Sequence, residues 1–146
     1  MGLESAVILL VEDDSADVEL TRYTIAKSKI LIDLHVVGDG VEALAFLRRE
    51  GKNAGAPRPD LILLDLNMPR MDGRTFLSTI RADVKFQTIP VVILTTSQAE
   101  EDIIKSYRLG ANCYITKPVG LAEFAKIVNA IEHFWFTIVC LPRENL

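Results

Sequence analysis

Five short apolar runs, each stopped by a polar residue, constrain this chain more than any other feature of its 146 residues. The clearest is Leu61-Ile62-Leu63-Leu64, four apolar residues with no polar alternation. Such a run reads as a strand covered on both faces, the kind found inside parallel sheets. It ends on a carboxylate, Asp65, and Asn67, Pro69 and Gly73 mark a loop into a segment of helical period. Ala6 to Val11 is a second continuous run, ending in Glu12, Asp13 and Asp14. Asp33 to Val37 is a shorter strand stopped by Gly38-Asp39-Gly40. Val91 to Leu94 follows Pro90 and stops at Thr95-Thr96-Ser97, and Cys113 to Thr116 precedes Lys117-Pro118.

Helical segments alternate with these strands. Asp14 or Ser15 can cap a helix to about Lys29, with an unusually polar inward stripe of Leu20, Thr24, Ile25 and Ser28. Val41, Leu44, Ala45 and Leu47 give a short helix ending near Glu50, and Phe76, Leu77 and Ile80 form the inward face of a third. Glu100, Glu101 and Asp102 place negative charge in the first turn of a fourth, which Gly110 stops. The last runs from about Leu121 to Phe134 or slightly beyond, and Pro142 ends regular structure. Alternation of this kind predicts a three-layer α/β/α sandwich on a parallel five-stranded sheet. The expectation is one domain over residues 1–146 with a tail from about 135. Gly51 to Pro59 is read as an exposed connection rather than a boundary.

The polar residues that end the strands form a set. Strand one ends in Glu12 and Asp13, strand three in Asp65, strand four in Thr95 and strand five in Lys117. Strand two contributes nothing comparable. In the flavodoxin-like order 2-1-3-4-5, strand two is pushed to an edge, so the strand without a site residue is the one the geometry leaves out. Three converging carboxylates repel one another unless a cation intervenes. Mg²⁺ suits them, because it takes a few carboxylates, keeps waters and coordinates phosphate oxygens. A carboxylate oxygen of Asp65 can accept a phosphoryl group as an acyl phosphate. Lys117 would then neutralise the new charge, the Thr95 hydroxyl could donate to it, and so could backbone N–H groups at Asn67 and Thr96.

In these motifs the chain resembles a response-regulator receiver domain, similar to the chemotaxis regulator over nearly its whole length. Val11-Glu12-Asp13-Asp14, Asp65-x-Asn67-Met68-Pro69, Thr95 and Lys117-Pro118 match in order and spacing. The resemblance implies that Asp65 takes phosphate from a sensor histidine kinase. It implies Asp13, Asp65 and the Asn67 carbonyl as Mg²⁺ ligands, with Glu12 behind them, and Lys117 and Thr95 on the phosphate. Tyr114 stands at the aromatic position that swings inward with the threonine, and Lys117-Pro118 at a cis peptide. Closer still is the subgroup paired with bacterial and cyanobacterial phytochrome kinases, through the Gly51–Pro59 connection, Leu94 to Ser97, Ala99 to Ile104, and the Phe134–Pro142 tail. Glu12 replaces an aspartate frequent in relatives, and Val119 a phenylalanine.

Other readings remain open. An Mg²⁺ phosphatase with an aspartate nucleophile also places Asp after a strand, but such enzymes typically use a second aspartate two residues on as general acid, where this chain has Asn67. A receiver-like scaffold that takes no phosphate is the other alternative. Sixteen basic against twenty acidic residues, net −4, argue against a nucleic-acid-binding surface. Two cysteines outside any C-x-x-C pair, no signal-type segment and no bilayer-length apolar run favour a cytoplasmic protein. The tail is more apolar than one sheet-facing stripe requires, which points to a homodimer with Ile127, Phe134 and Phe136 as interface candidates.

Overall fold

A computed structural model of the chain describes residues 5–143. Its strands are β1 (Ser5–Val11), β2 (Leu31–Val37), β3 (Leu61–Leu64), β4 (Val91–Thr95) and β5 (Cys113–Thr116). They alternate with helices α1 (Ser15–Ala26), α2 (Gly40–Arg48), α3 (Gly73–Arg81), α4 (Glu100–Arg108) and α5 (Leu121–His133). All strand pairs are parallel, in the order β2-β1-β3-β4-β5. Val11 is in register with Leu64, so Glu12 and Asp65 leave the sheet side by side. Thr95 is in register with Thr116, and the Lys117 N–H donates to the Thr95 carbonyl at 2.7 Å.

The continuous apolar runs are explained by two cores, one on each face of the sheet. Ile62 and Leu64 pack with Leu44, Leu47, Phe76, Leu77 and Ile80 of α2 and α3. Leu61 and Leu63 pack with Ile25 of α1 and with Phe124, Val128 and Ile131 of α5. Of the α4 residues, Ser106 alone is buried. The helices start where the sequence supplies acceptors: Asp14, Asp39 and Asp72 each accept backbone N–H groups as N-caps. One guanidinium ties the opposite pole together. Arg81 donates to the carbonyls of Gly110 at 2.9 Å and Ile89 at 2.9 Å, and to Asn112 Oδ1 at 3.0 Å.

The structure corrects several expectations. Helix α1 ends at Ala26 rather than Lys29, because Ser28 Oγ accepts the Ile30 N–H at 3.0 Å and turns the chain. Its buried residues are Thr21, Thr24 and Ile25, whereas Leu20 and Ser28 are half-buried. The threonine hydroxyls are satisfied by the carbonyls of Asp17 at 2.8 Å and Leu20 at 2.9 Å, which lets a polar stripe face inward. Strand β2 begins two residues earlier than expected, at Leu31. No peptide bond among the described residues is cis, so Lys117–Pro118 is trans, the form that even proline intrinsically prefers.

The tail differs too. A π-helical turn, Phe134–Ile138, folds Phe136 into the core beneath α5, where it is 1% exposed and unavailable to a second copy. Ile127 is half-buried against the same core, while Phe134 stays at the surface.

Gly73 seats α3 against the end of β3. Its N–H donates to the Leu66 carbonyl at 3.0 Å, and a Cβ there would lie 2.5 Å from the Asp65 carbonyl oxygen and 2.9 Å from Leu66 Cα. The obstacle is backbone rather than the far end of a flexible side chain, so it cannot give way cheaply. Gly73→Ala is expected to lower unfolding stability by about 1–3 kcal/mol in denaturant titrations. Gly55→Ala, with nothing within 4 Å of its added methyl, should stay within about 0.5 kcal/mol of the parent.

Candidate functional site

The C-terminal ends of β1, β3, β4 and β5 converge on Asp65, which is 8% exposed. Asp65 is placed by its N–H, which donates to the Val11 carbonyl at 3.0 Å. Its Oδ1 accepts the Thr95 hydroxyl at 2.8 Å and the Asn67 N–H at 3.3 Å. Lys117 Nζ lies 3.6 Å from its Oδ2. The same ammonium donates to Glu12 Oε1 and, at 2.8 Å, to Asp17 Oδ2. The Lys117 side chain is 6% exposed, so three carboxylates replace water around it.

Burial and neighbouring charges together shift the ionisation of Glu12 and Lys117. Burial pushes the Glu12 carboxyl up to about 7; the Lys117 hydrogen bond opposes this, while the negative charge of Asp65 reinforces it. For Lys117 burial works against the charge, but the hydrogen bonds to Asp17 and Glu12 and the charge of Asp65 prevail, holding the ammonium above its ordinary value.

Glu12, Asp13 and Asp65 each offer a carboxylate oxygen within 4.8 Å of the others, with Asp13 exposed at the mouth. Three hard oxygen donors opening to solvent fit a small divalent cation that retains waters. They do not suit a softer metal, which favours sulfur or imidazole.

Most of the residues singled out in the sequence meet here. Thr95, Lys117, Glu12, Asp13 and the Asn67 N–H all surround Asp65. Thr96 is exposed and directly follows Thr95, the last residue of β4. Tyr114 is half-buried beside the α2–α3 core, and its hydroxyl donates to the Ser97 carbonyl at 3.0 Å. The segment after Thr95 is thereby linked outward: Ser97 Oγ donates to Asp102 Oδ2 at 2.6 Å, and Arg74 Nη2 to Asp102 Oδ1 at 2.6 Å. Those hydrogen bonds, from Ser97 and then Arg74, hold the Asp102 carboxyl below its usual range.

Sequence reading missed Asp17. Its signal lay in the polar stripe of α1, since Asp17, Thr21 and Thr24 follow an i, i+4, i+7 spacing on one face. Two of the three are buried, and the third turns its carboxylate to Lys117.

Comparison with known proteins bears on this geometry. The family model of the response regulator receiver domain matches residues 8–129. The chain is 48% identical over 136 residues to the response regulator Rcp1 of Synechocystis sp., covering 93% of this chain and 92% of that protein. It superimposes on the phosphorylated cyanobacterial phytochrome response regulator RcpA with a TM-score of 0.92 at 48% identity, covering 95% of this chain and 99% of that one. The Mn²⁺-bound form of Rcp1 superimposes with a TM-score of 0.90 at 47% identity, covering 94% and 99%.

The raised carboxyl of Glu12 sets the direction of a pH dependence. Below about 7 it holds a proton in the cation-free protein, and a dication among Glu12, Asp13 and Asp65 opposes that proton. Mn²⁺ affinity, measured calorimetrically, is therefore expected to rise by up to roughly tenfold between about pH 6 and about pH 8 and then to level off. In Glu12→Gln most of that slope should disappear.

Proposed function

Since the chain belongs to the response-regulator receiver family, we propose that Asp65 is its phosphoacceptor in a two-component pathway, with a sensor histidine kinase as donor. The observation that carries this reading is the position of Asp65, flanked at once by the acids Glu12 and Asp13, the Thr95 hydroxyl and the Lys117 ammonium. In the transfer, an Asp65 carboxylate oxygen forms a bond to phosphorus as the bond to the kinase histidine nitrogen breaks. Such a step needs little covalent help from the protein, so catalysis is positioning and charge stabilisation.

Each residue has a task in this reading. Asp13, Asp65 and the Asn67 carbonyl would hold Mg²⁺, with Glu12 behind them. When bound, the ion would offset charge on the phosphate oxygens and on the carboxylates. Lys117 would pair with one phosphate oxygen, and the Asn67 N–H, already directed at Asp65, would donate to another. The Thr95 hydroxyl would leave Asp65 Oδ1 for the phosphoryl group, and Tyr114 would follow by giving up its bond to the Ser97 carbonyl. The chain would act as a phosphorylated switch in the cytoplasm, as one receiver domain. A phosphatase with an aspartate nucleophile is not favoured, because Asn67 cannot serve as its general acid.

The likeness to the cyanobacterial phytochrome response regulator RcpA supports a phytochrome-type kinase as donor. A homodimer through the α4–β5–α5 face is supported by edge strand β5, half-buried along its length, and by exposed Ile104, Tyr107, Val119, Leu121 and Phe134.

Two outcomes follow. Incubated with acetyl phosphate and Mg²⁺, the protein should gain the mass of one phosphoryl group, and Asp65→Asn should gain none; undiminished labelling of the variant refutes the assignment. In light scattering at roughly tens of micromolar the chain should be a dimer, and Phe134→Asp should shift it towards monomer.

A further inference from the structure

The ammonium that is to meet the phosphoryl group is held elsewhere. Lys117 Nζ is hydrogen-bonded to Glu12 and, at 2.8 Å, to Asp17, but stands 3.6 Å from Asp65, beyond hydrogen-bond distance. The two hydrogen-bonded carboxylates differ in setting. Glu12 lies at the floor of the site, its side chain 3% exposed, and belongs to the carboxylate cluster. Asp17 reaches in from the first turn of α1, its side chain 26% exposed, and belongs to no part of that cluster.

We propose that Asp17 is a positioning residue that restrains Lys117 and competes with the phosphoryl group for its ammonium, limiting how much acyl phosphate accumulates on Asp65 and how long it lasts. The proposal rests on Asp65 being the phosphoacceptor. Phosphorylation replaces a carboxylate by a more highly charged group with more acceptor oxygens. A lysine drawn to it must stretch or give up its bond to the carboxylate that the new group does not adjoin. Ionised partners make strong hydrogen bonds, so this cost is set against the phosphorylated form. Asp17 also adds negative charge near the path of an anionic phosphodonor. Both effects act in the same direction.

The test uses the full chain with acetyl phosphate as donor and saturating Mg²⁺. In uptake, phosphorus bonds to an Asp65 oxygen and acetate leaves. In loss, water bonds to phosphorus, the bond to Asp65 breaks, and inorganic phosphate departs with the Asp65 carboxylate restored. Intact mass gives the steady-state phosphorylated fraction, and removal of the donor gives the decay rate. Asp17→Asn, nearly isosteric but uncharged, should raise the ratio of phosphorylated to free protein and slow the decay, each by roughly twofold to tenfold for a partly exposed ion pair. Asp17→Glu restores a carboxylate and should return both towards the parent. Glu19→Gln removes a charge from the same helix and should change neither; Glu19 is exposed and, among the described residues, its ion pair is with Arg22. A merely structural Asp17 would alter the melting temperature without moving the decay rate.

If Asp17→Asn decays at the parental rate or faster, or if Glu19→Gln reproduces its effect, the proposal is overturned while the phosphoacceptor assignment stands. If the parent protein takes up no phosphoryl group at all, both fall together.

Discussion

A single ammonium shared among carboxylates is the interaction on which the functional end of this molecule depends. Lys117 brings one positive charge to a place where Glu12, Asp17 and Asp65 bring three carboxylates, with Asp13 at the exposed mouth. Taking such groups out of water is costly, and their mutual repulsion adds to the cost. The protein tolerates it because one cation satisfies several anions at once and because Glu12 holds its proton to about 7. An unbalanced site of this kind is primed for incoming positive charge. It is also primed for rearrangement, since any change in the charge on Asp65 alters the terms on which the lysine is shared.

Few contacts lead outward from Asp65 into the surrounding structure. Thr95 touches Asp65 directly, and two residues later Ser97 engages both the Tyr114 hydroxyl and Asp102 at the start of α4. Arg74 of α3 closes the network on the far side of Asp102. A shift of the Thr95 hydroxyl would therefore meet a hydrogen-bonded strand end, an aromatic side chain and a helix start in succession. Helix α4 is suited to respond, because it buries only Ser106 and lacks a side-chain cap at Ala99.

How much of this could be read from the residues alone varied with the physics. Leu61 to Leu64 announced a central strand because both of its faces are covered, and the run could hardly satisfy a surface position. Asp65, Asp13, Thr95 and Lys117 were legible because parallel order and register bring strand ends together whatever the loops do. Asp17 was not, because its role depends on the rotation of α1, and Thr21 and Thr24 are polar residues whose burial rests on local hydrogen bonds to carbonyls. Phe136 misled for the opposite reason. An excess of apolar residues says that something is covered, but a π-helical turn decides which side chain goes inward. At Lys117–Pro118 the trans form is intrinsically favoured by only about 0.5–1 kcal/mol, too little for sequence to decide.

Arg81 has a mechanical consequence. Its guanidinium fastens the turn after α4 to the end of α3 and to the entrance of β4, through Gly110, Asn112 and Ile89. Helix α4 is thus anchored through backbone at its tail, while its head is tied through the Asp102 side chain to Ser97 and Arg74. A rod fixed in this way swings about its anchor rather than sliding, so a small shift near Ser97 would be converted into a change of tilt. The lever arm is the helix itself, and its fulcrum lies at the pole of the molecule farthest from the charge that would drive it.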